Sequence, residues 1–419
     1  MTDQIGPAGA ARPLKILAVA FVFPKPDQNG GGLLTHRLLT MLAAEHQVTL
    51  LTFLESNELR PDDDPGEIAR YQAMYRRANI RLIEGFSTIG LRRALLSALY
   101  DVVLFEFWTC AREGVDLVQR HQPWAKVIIE TVDINFRREA AAAQMGLMDP
   151  ALAASNQAAE LATYRQAAAL LCISEEDSRA LDEWPDLGRR VVIPHMVEPV
   201  DRPPLDRGAE LLFIGGFAHA PNPDGLLWFV REIWPEIRKL VPSAQLRVVG
   251  SHPTAEVLAL GAVGGIDVVG WVPDITPLCD RAALMIAPLR FGGGVKIKVV
   301  EAMARGLPVV TTTVGAQGLD VKSGEHLIIA QDGADFARQV SELLRDPVLA
   351  ERIGRNGRDY VAATCSLAAT KQRLDALLDT LVDQGRPQTP PPEWLLQSAL
   401  SKARIVLGRI KRQVQGKGR

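Results

Sequence analysis

The chain has 419 residues, 47% of them hydrophobic, and a formal net charge of -2. That length allows two or three domains, and a charge so close to zero gives no general attraction to nucleic acid. The four cysteines, Cys110, Cys172, Cys279 and Cys365, stand far apart with no CxxC pair; they are expected as reduced core thiols of a cytosolic protein, not as metal ligands or disulfides.

Residues 1–13 are rich in Gly, Ala and Pro and are expected to be disordered. Arg12 and Lys15 flank an apolar run from Leu14 to Phe23, but it ends at Pro24-Lys25-Pro26-Asp27 without a small-residue cleavage site. A buried strand of a parallel sheet, Ile16 to Phe23, fits better than a signal peptide. No apolar segment approaches the ~20 residues that span a bilayer. Gly30, Gly31 and Gly32 precede a helix expected from Leu33 to Ala44, and Val48 to Phe53 reads as the next strand. This is a βαβ unit with a glycine-rich first turn, although without GxGxxG or a P-loop lysine it also fits a plain tight turn.

Asn57 to Gly66 is a polar loop in which Asp62-Asp63-Asp64 reads as solvated. Asp101 to Phe107 and Lys126 to Glu130 read as strands separated by a helix around Glu113 to His121. Asp133, in TVDINFRREAAAA, follows the second of these at the strand end where open α/β sheets place their ligands. It reads equally as the cap of the next helix. Arg138 and Glu139 read as a solvated helix face. A helix is expected from Ala151 to Ala169, then a strand from Leu170 to Ser174. Ser174 would cap SEEDSRAL with acids in the first turn. Val191 to Pro194 is the last strand of this half.

The proline-rich and charged EPVDRPPLDRG, Glu198 to Gly208, reads as a linker. Leu211 to Ile214 opens a second sheet, followed by GGFAHAPNPDG and an amphipathic helix from Leu226 to Leu240. Gln245 to Gly250 and Val268 to Val272 read as strands, with Trp271 fitting plain core packing. The most informative stretch is APLRFGGGVKIKVVEAMARGLPVVTTTVGAQGL, Ala287 to Leu319. It predicts a strand from Ala283 to Pro288, a turn of Gly292, Gly293 and Gly294, a helix from Val295 to Ala304 and a strand from Leu307 to Thr313. Such a turn brings backbone close to a ligand, and the N–H groups at a helix start favour an anion. Arg290, Lys296 and Lys298 put positive charge beside it, and Glu301 shares a helix face with Lys298. The residues fit a diphosphate with sugar hydroxyls on Glu301, or a strand–helix connection with a solvated Lys–Glu pair. Asp335 to Val382 is expected to be helical.

Gly385 to Pro392 reads as a stiff spacer and the last 27 residues as a helix. At 100° per residue Leu395, Leu396, Ala399, Leu400, Ala403, Val406, Leu407, Ile410 and Val414 fall within an arc of roughly 140°, bordered by Lys402, Arg404, Arg409 and Lys411. After Glu393 there is no acid, and seven Lys or Arg follow from Lys402 onward. With Trp394 at its start, this suits an anionic membrane surface or, alternatively, docking on protein.

EAMARGLPVV followed by GAQGL resembles the nucleotide-sugar motif of retaining glycosyltransferases with the GT-B fold, the group 1 transferases of glycosyltransferase family 4. PLRFGGGVKIK is similar to a subset carrying PLRFGxGVKxK. The resemblance implies an α/β GT-B fold: two Rossmann-like doubly wound parallel-sheet domains facing a cleft, plus the C-terminal amphipathic helix. After 1–13, residues 14–197 would form the N-terminal acceptor domain, 198–208 the linker and 209–360 the nucleotide-sugar donor domain. Residues 361–382 would be a helix returning to the first domain, 383–392 a proline-rich spacer and 393–419 the basic tail.

Residue by residue, the resemblance places the ribose on Glu301 and the donor diphosphate at Gly292, Gly293 and Gly294, with Gly215 and Gly216 from the first turn of that domain and Gly31 and Gly32 facing it. Trp271 and Val272 would contact the base. Two departures stand out. The family's first glutamate is Gly293, and the family's Arg and Lys of the first turn fall at Gly216 and at Pro221 to Asn222, which shifts the cationic role to Arg290 and Lys298. Asp133, Arg137 and Glu139 match the subset's VDLHFLRE, with Asn135 for its histidine, and Asp133 would orient a sugar. His195 stands where the family has Asn after IP and reads as a hinge residue.

The expected activity is transfer of a sugar from a nucleoside-diphosphate sugar to a hydroxyl with retention, in cell-surface polysaccharide or glycolipid synthesis. Asp133, Arg290 and Lys298 are the catalytic candidates. No cofactor beyond the nucleotide sugar and no metal is expected. The partners are the nucleotide sugar, a saccharide or lipid-linked saccharide acceptor and an anionic membrane through residues 393–419, with no nucleic acid. The expected place is the cytoplasm, peripheral on the inner face of the membrane. A nucleotide-sugar epimerase and a non-catalytic sugar-nucleotide-binding scaffold are the alternatives.

Overall fold

The computed structural model describes residues 12–27, 30–52, 65–84, 87–144, 146, 148–201, 208–382 and 387–415, the side chains only as far as residue 403. The expectations for residues 1–11, for Asp62–Asp64 and most of their polar loop, for most of the 198–208 linker and for 383–386 lie outside the described residues. The chain forms two compact units. One holds Met1–Leu171, Trp184–Val191 and Asp375–Arg419, the other Cys172–Glu183 and Val192–Leu374.

The first unit alternates β1 (Lys15–Ala20), α1 (Gly30–Ala43), β2 (Gln47–Thr52), α2 (Pro65–Arg77), β3 (Arg81–Glu84) and α3 (Ser87–Ser97). It continues through β4 (Val102–Glu106), α4 (Trp108–His121), β5 (Lys126–Glu130), α5 (Asn135–Gln144), α6 (Pro150–Tyr164) and β6 (Ala169–Cys172). The chain then passes through α7 (Glu175–Ala180), which belongs to the second unit, to β7 (Arg189–Val192), and the sheet runs β3-β2-β1-β4-β5-β6-β7. β1 pairs in parallel with β2 and β4, and its residues Ile16 to Ala20 are all buried, which is what an apolar run covered on both faces requires. All four cysteines are buried and none is in a disulfide.

Local differences from the sequence expectations have packing reasons. α1 begins at Gly30, so Gly31 and Gly32 lie inside its first turn, not in a loop before it. Gly32 is there because a Cβ would stand 2.6 Å from the Lys25 carbonyl oxygen. α4 starts at Trp108, earlier than expected, because Trp108, Cys110, Ala111, Val115 and Val118 form one buried face. β3, of four residues, and β13, of three, are too short to stand out in the sequence.

The second unit contains β8 (Glu210–Ile214), α8 (Pro221–Trp228), a π-helical turn at Phe229–Ile233, α9 (Trp234–Leu240), β9 (Gln245–Val249), α10 (Ala255–Ala259) and β10 (Ile266–Gly270). The expected single helix is thus interrupted by a π turn, as single-turn π bulges commonly are. α11 (Thr276–Arg281), β11 (Leu284–Ala287), α12 (Ile297–Ala304), β12 (Val309–Thr312) and β13 (Ile328–Ala330) complete a parallel sheet ordered β10-β9-β8-β11-β12-β13. One face of this sheet buries Phe213, Phe229, Trp234 and Phe336, the other Met285, Val299, Val300 and Met303. α13 (Gly333–Arg345), α14 (Pro347–Thr364) and α15 (Leu367–Leu381) follow.

α16 (Pro392–Gln415) belongs to the first unit and seats on α3. The Trp394 indole N–H donates to the Leu95 carbonyl at 3.0 Å, and the Ser398 hydroxyl to that of Leu96 at 2.8 Å. Gln397 Oε1 lies 2.7 Å from His121 Nδ1 on α4. The expected role of Trp394 at a lipid surface is therefore replaced by a contact with its own protein.

Candidate functional site

The second sheet changes direction between β8 and β11, which makes their carboxyl ends the topological switch point where open α/β sheets bind ligands. Close approach of backbone builds this edge. A Cβ on Gly225 would stand 2.3 Å from the Pro288 carbonyl oxygen, and one on Gly250 only 1.9 Å from that of Gly215.

Gly292, Gly293 and Gly294 follow β11 and are exposed, and a Cβ on Gly293 or Gly294 would meet nothing. Gly292 and Gly294 have φ of 123° and 68°, a left-handed backbone that L side chains rarely adopt. The turn delivers the chain to α12, whose N-terminus no side chain caps. An uncapped helix start presents unsatisfied N–H groups and the positive end of the helix dipole.

Three cations surround this turn, each held by a named partner. Lys298 Nζ donates to the Ile214 carbonyl at 2.9 Å and to Asn222 Oδ1 at 2.6 Å. Asn222 Nδ2 in turn donates to the Gly216 carbonyl at 2.7 Å, so one side chain ties Lys298 to the Gly215–Gly216 turn. Desolvation, with the charge of Lys296 as a smaller cause, pushes the Lys298 amine down to about 7. Lys296 Nζ donates to the carbonyls of Gly293 at 3.0 Å and Gly294 at 2.5 Å, and desolvation lowers it to about 8 against the pull of Glu176. Arg290 makes a two-pronged pair with Asp224, Nε to Oδ2 at 2.8 Å, which holds the Asp224 carboxyl below its ordinary range. Its guanidinium lies 5.9 Å from the Trp228 ring centre.

Arg290, Lys298, Gly215, Gly216 and the triple-glycine turn are thereby gathered at the switch point, with Glu301 half-buried on α12. The alternative of a solvated Lys298–Glu301 pair does not hold, since Lys298 is bonded to Ile214 and Asn222. Trp271, just beyond β10, is 69% exposed, so its core-packing reading is overturned, while Val272 packs against the core. Sequence reasoning passed over Asn222 and Asp224 as plain members of PNPDG. It also missed Glu176, whose Oε2 accepts from the Gly318 amide at 3.2 Å within GAQGL. The acidic first turn of SEEDSRAL was the available signal.

In the first unit, Asp133 lies three residues beyond β5 and pairs with Arg138. Burial raises its carboxyl, opposed by Arg138 and reinforced by Glu139. Asp133 does not cap α5. The amides of Asn135 and Phe136 are bonded by the carboxylate of Glu160, from α6, at 3.1 and 2.9 Å. Arg138 is engaged with Asp133 and Asn135 while 62% of its side chain stays exposed, so the solvated helix face carries these contacts on its surface.

Glu106 and Glu130 end neighbouring strands as directly paired residues, followed by left-handed Phe107 (φ 72°) and Val132 (φ 59°). Burial raises Glu106 to about 7, and burial plus the Glu106 charge raises Glu130 to about 8. The Thr35 hydroxyl donates to Glu106 at 2.9 Å, and with one proton to give it leaves both Glu130 oxygens without a partner among the described residues.

Residues 208–346 match the family model described as glycosyl transferases group 1. The lipopolysaccharide core biosynthesis mannosyltransferase LpcC of Rhizobium leguminosarum bv. viciae is 29% identical over 184 residues, 41% of this chain and 52% of that protein. Matches to the first curated relatives span only 36%, 52% and 37% of their lengths.

Among solved structures, the sucrose-phosphate synthase tll1590 of Thermosynechococcus elongatus superposes with a TM-score of 0.64 at 19% identity, covering 88% of this chain and 100% of that one. Anabaena Alr3699/HepE in complex with UDP gives 0.65 at 13% identity, with coverages of 88% and 100%. At such identities the likeness is one of fold. The two parallel α/β sheets and these neighbours establish the GT-B fold.

Proposed function

We propose that the chain is a retaining, nucleotide-sugar-dependent glycosyltransferase of cell-surface polysaccharide or glycolipid synthesis. The observation that carries this reading is the uncapped start of α12 behind an open triple-glycine turn at the switch point, with Lys298 in its first turn and Glu301 one turn on. The match of residues 208–346 to group 1 glycosyltransferases and the mannosyltransferase relative support it.

The donor diphosphate would lie against the Gly292–Gly294 turn and the α12 amides, with its ribose on Glu301, Gly215 and Gly216 beneath it, and its base near Trp271 and Val272. In the reaction the bond from the anomeric carbon to the diphosphate breaks and a bond to the acceptor oxygen forms on the same face. The acceptor's proton passes to the leaving diphosphate. Lys298, Lys296 and the helix amides stabilise the charge that grows there, the kind of fixed electrostatic support that contributes most to many enzymes. Arg290 would engage the diphosphate by exchanging Asp224 for it. From the first unit, Asp133 would orient a sugar hydroxyl.

The test is thermal stabilisation of the purified protein by a panel of nucleotide sugars, followed by product analysis with saccharide and lipid-linked saccharide acceptors. One donor should raise the melting temperature, be slowly hydrolysed without acceptor and lose most of its effect in Glu301→Ala. A folded protein stabilised by none of the donors refutes the reading, and binding without any donor turnover makes it a scaffold.

A further inference from the structure

We infer that α16 is a fixed foot by which the first unit lies on an anionic lipid bilayer, its polar edge fastened to the protein and its apolar edge facing out. Amphipathic helices at the end of a domain ordinarily bury the apolar face against that domain. Here the reverse holds. The residues that turn inward are Trp394, Gln397 and Ser398, which bond to Leu95, His121 and Leu96. Leu395, Leu396 and Leu400 are 50%, 64% and 53% exposed, and Ala399 and Ala403 are exposed with them.

On a helix of 100° per residue the inward set centres roughly opposite the apolar arc. The same spacing carries that arc through Val406, Leu407, Ile410 and Val414, whose side chains lie outside the described residues.

The charge picks the occupant. In sequence, Lys402 and Arg409 border one side of the arc and Arg404 and Lys411 the other, with no acid after Glu393. Arg92 on α3 and Arg120 on α4 stand close enough to His121 to depress its ionisation, after the larger effect of burial, so the seat of the helix is basic as well. An apolar stripe flanked by cations on both sides matches the level of headgroups above acyl chains, where each cation near an anionic surface adds attraction. A protein groove would need acids to match it, and a second copy would bring cation against cation. The inference stands apart from sugar transfer, since none of these residues belongs to the donor site.

The experiment is co-sedimentation of the full chain with vesicles of phosphatidylcholine alone and of phosphatidylcholine mixed with phosphatidylglycerol, with the oligomeric state measured by light scattering. The expected result is a monomer that binds only the mixed vesicles and is released by added salt. Leu396→Glu/Leu400→Glu, at exposed positions that leave the fold and donor-induced stabilisation unchanged, should lower vesicle affinity by at least about tenfold. The inference is overturned by no binding, by equal binding to both vesicles, by unchanged binding of the double variant, or by a dimer that the double variant splits.

Discussion

Lys298 shows how burial tunes a single group. Its amine is lowered to about 7 by desolvation, because its hydrogen-bond partners, Ile214 and Asn222, are neutral. An arriving diphosphate supplies the missing negative charge and raises that pKa, so binding takes up a proton wherever the free protein has lost it. On the proposed reading, nucleoside-diphosphate affinity is therefore expected to fall as pH rises through about 7 towards the ordinary lysine range. Calorimetry at about pH 8 in buffers of different ionisation enthalpy should report proton uptake, and Lys298→Met should remove most of it and weaken binding about tenfold. An uptake unchanged in the variant would assign the proton to another group. Glu130 is the opposite case. Its carboxyl is raised from 4.5 to about 8, so the folded state holds a proton that the unfolded chain releases between those values. Stability must fall as pH rises through that window. Glu130 and Glu106 titrate as a pair, and Glu130→Gln should flatten the decline of melting temperature between about pH 5 and pH 8. A decline as steep as in the parent would mean that the carboxyl is ionised in the fold.

At the scale of elements, the turn from β11 into α12 separates glycines needed for backbone shape from one needed for nothing steric. Gly294 has φ of 68°, whereas Gly293 has no positive φ and open space around it. Gly294→Ala should cost about 1 kcal/mol of stability and Gly293→Ala close to nothing, as read by chemical denaturation, with donor affinity falling only in the first. Equal costs would mean that the turn relaxes to accommodate a side chain. The same scale explains α5, whose first amides are served by Glu160 from α6 and not by the nearby Asp133. A carboxylate 25 residues away in sequence took the capping role, and Asp133 was left half-buried beside Arg138. α16 makes a similar point, since its amphipathic pattern is plain in the sequence but the side it turns to the protein is not.

Across the whole molecule, the alternation of apolar runs and helical stretches, each strand followed by a glycine or polar turn, was enough to require two parallel sheets. Period and burial are local properties, and an apolar run such as Ile16 to Ala20 has few other places to go. The glycine turn at Gly292–Gly294 and the charges around it were legible for the same reason, because they lie within one short segment. What the sequence could not decide was pairing over distance. Asp224 on Arg290, Asn222 on Lys298 and Glu176 on Gly318 join residues separated by 66, 76 and 142 positions, and the first two depend on strand order, which brings β8 beside β11 although two strands intervene in the chain. The amino-acid sequence determined the elements and the chemistry of the turn. Only the tertiary structure decided which cations are neutralised, which carboxyls keep their protons and which face of α16 looks outward, because those outcomes are set by desolvation and partners that do not exist until the sheets form.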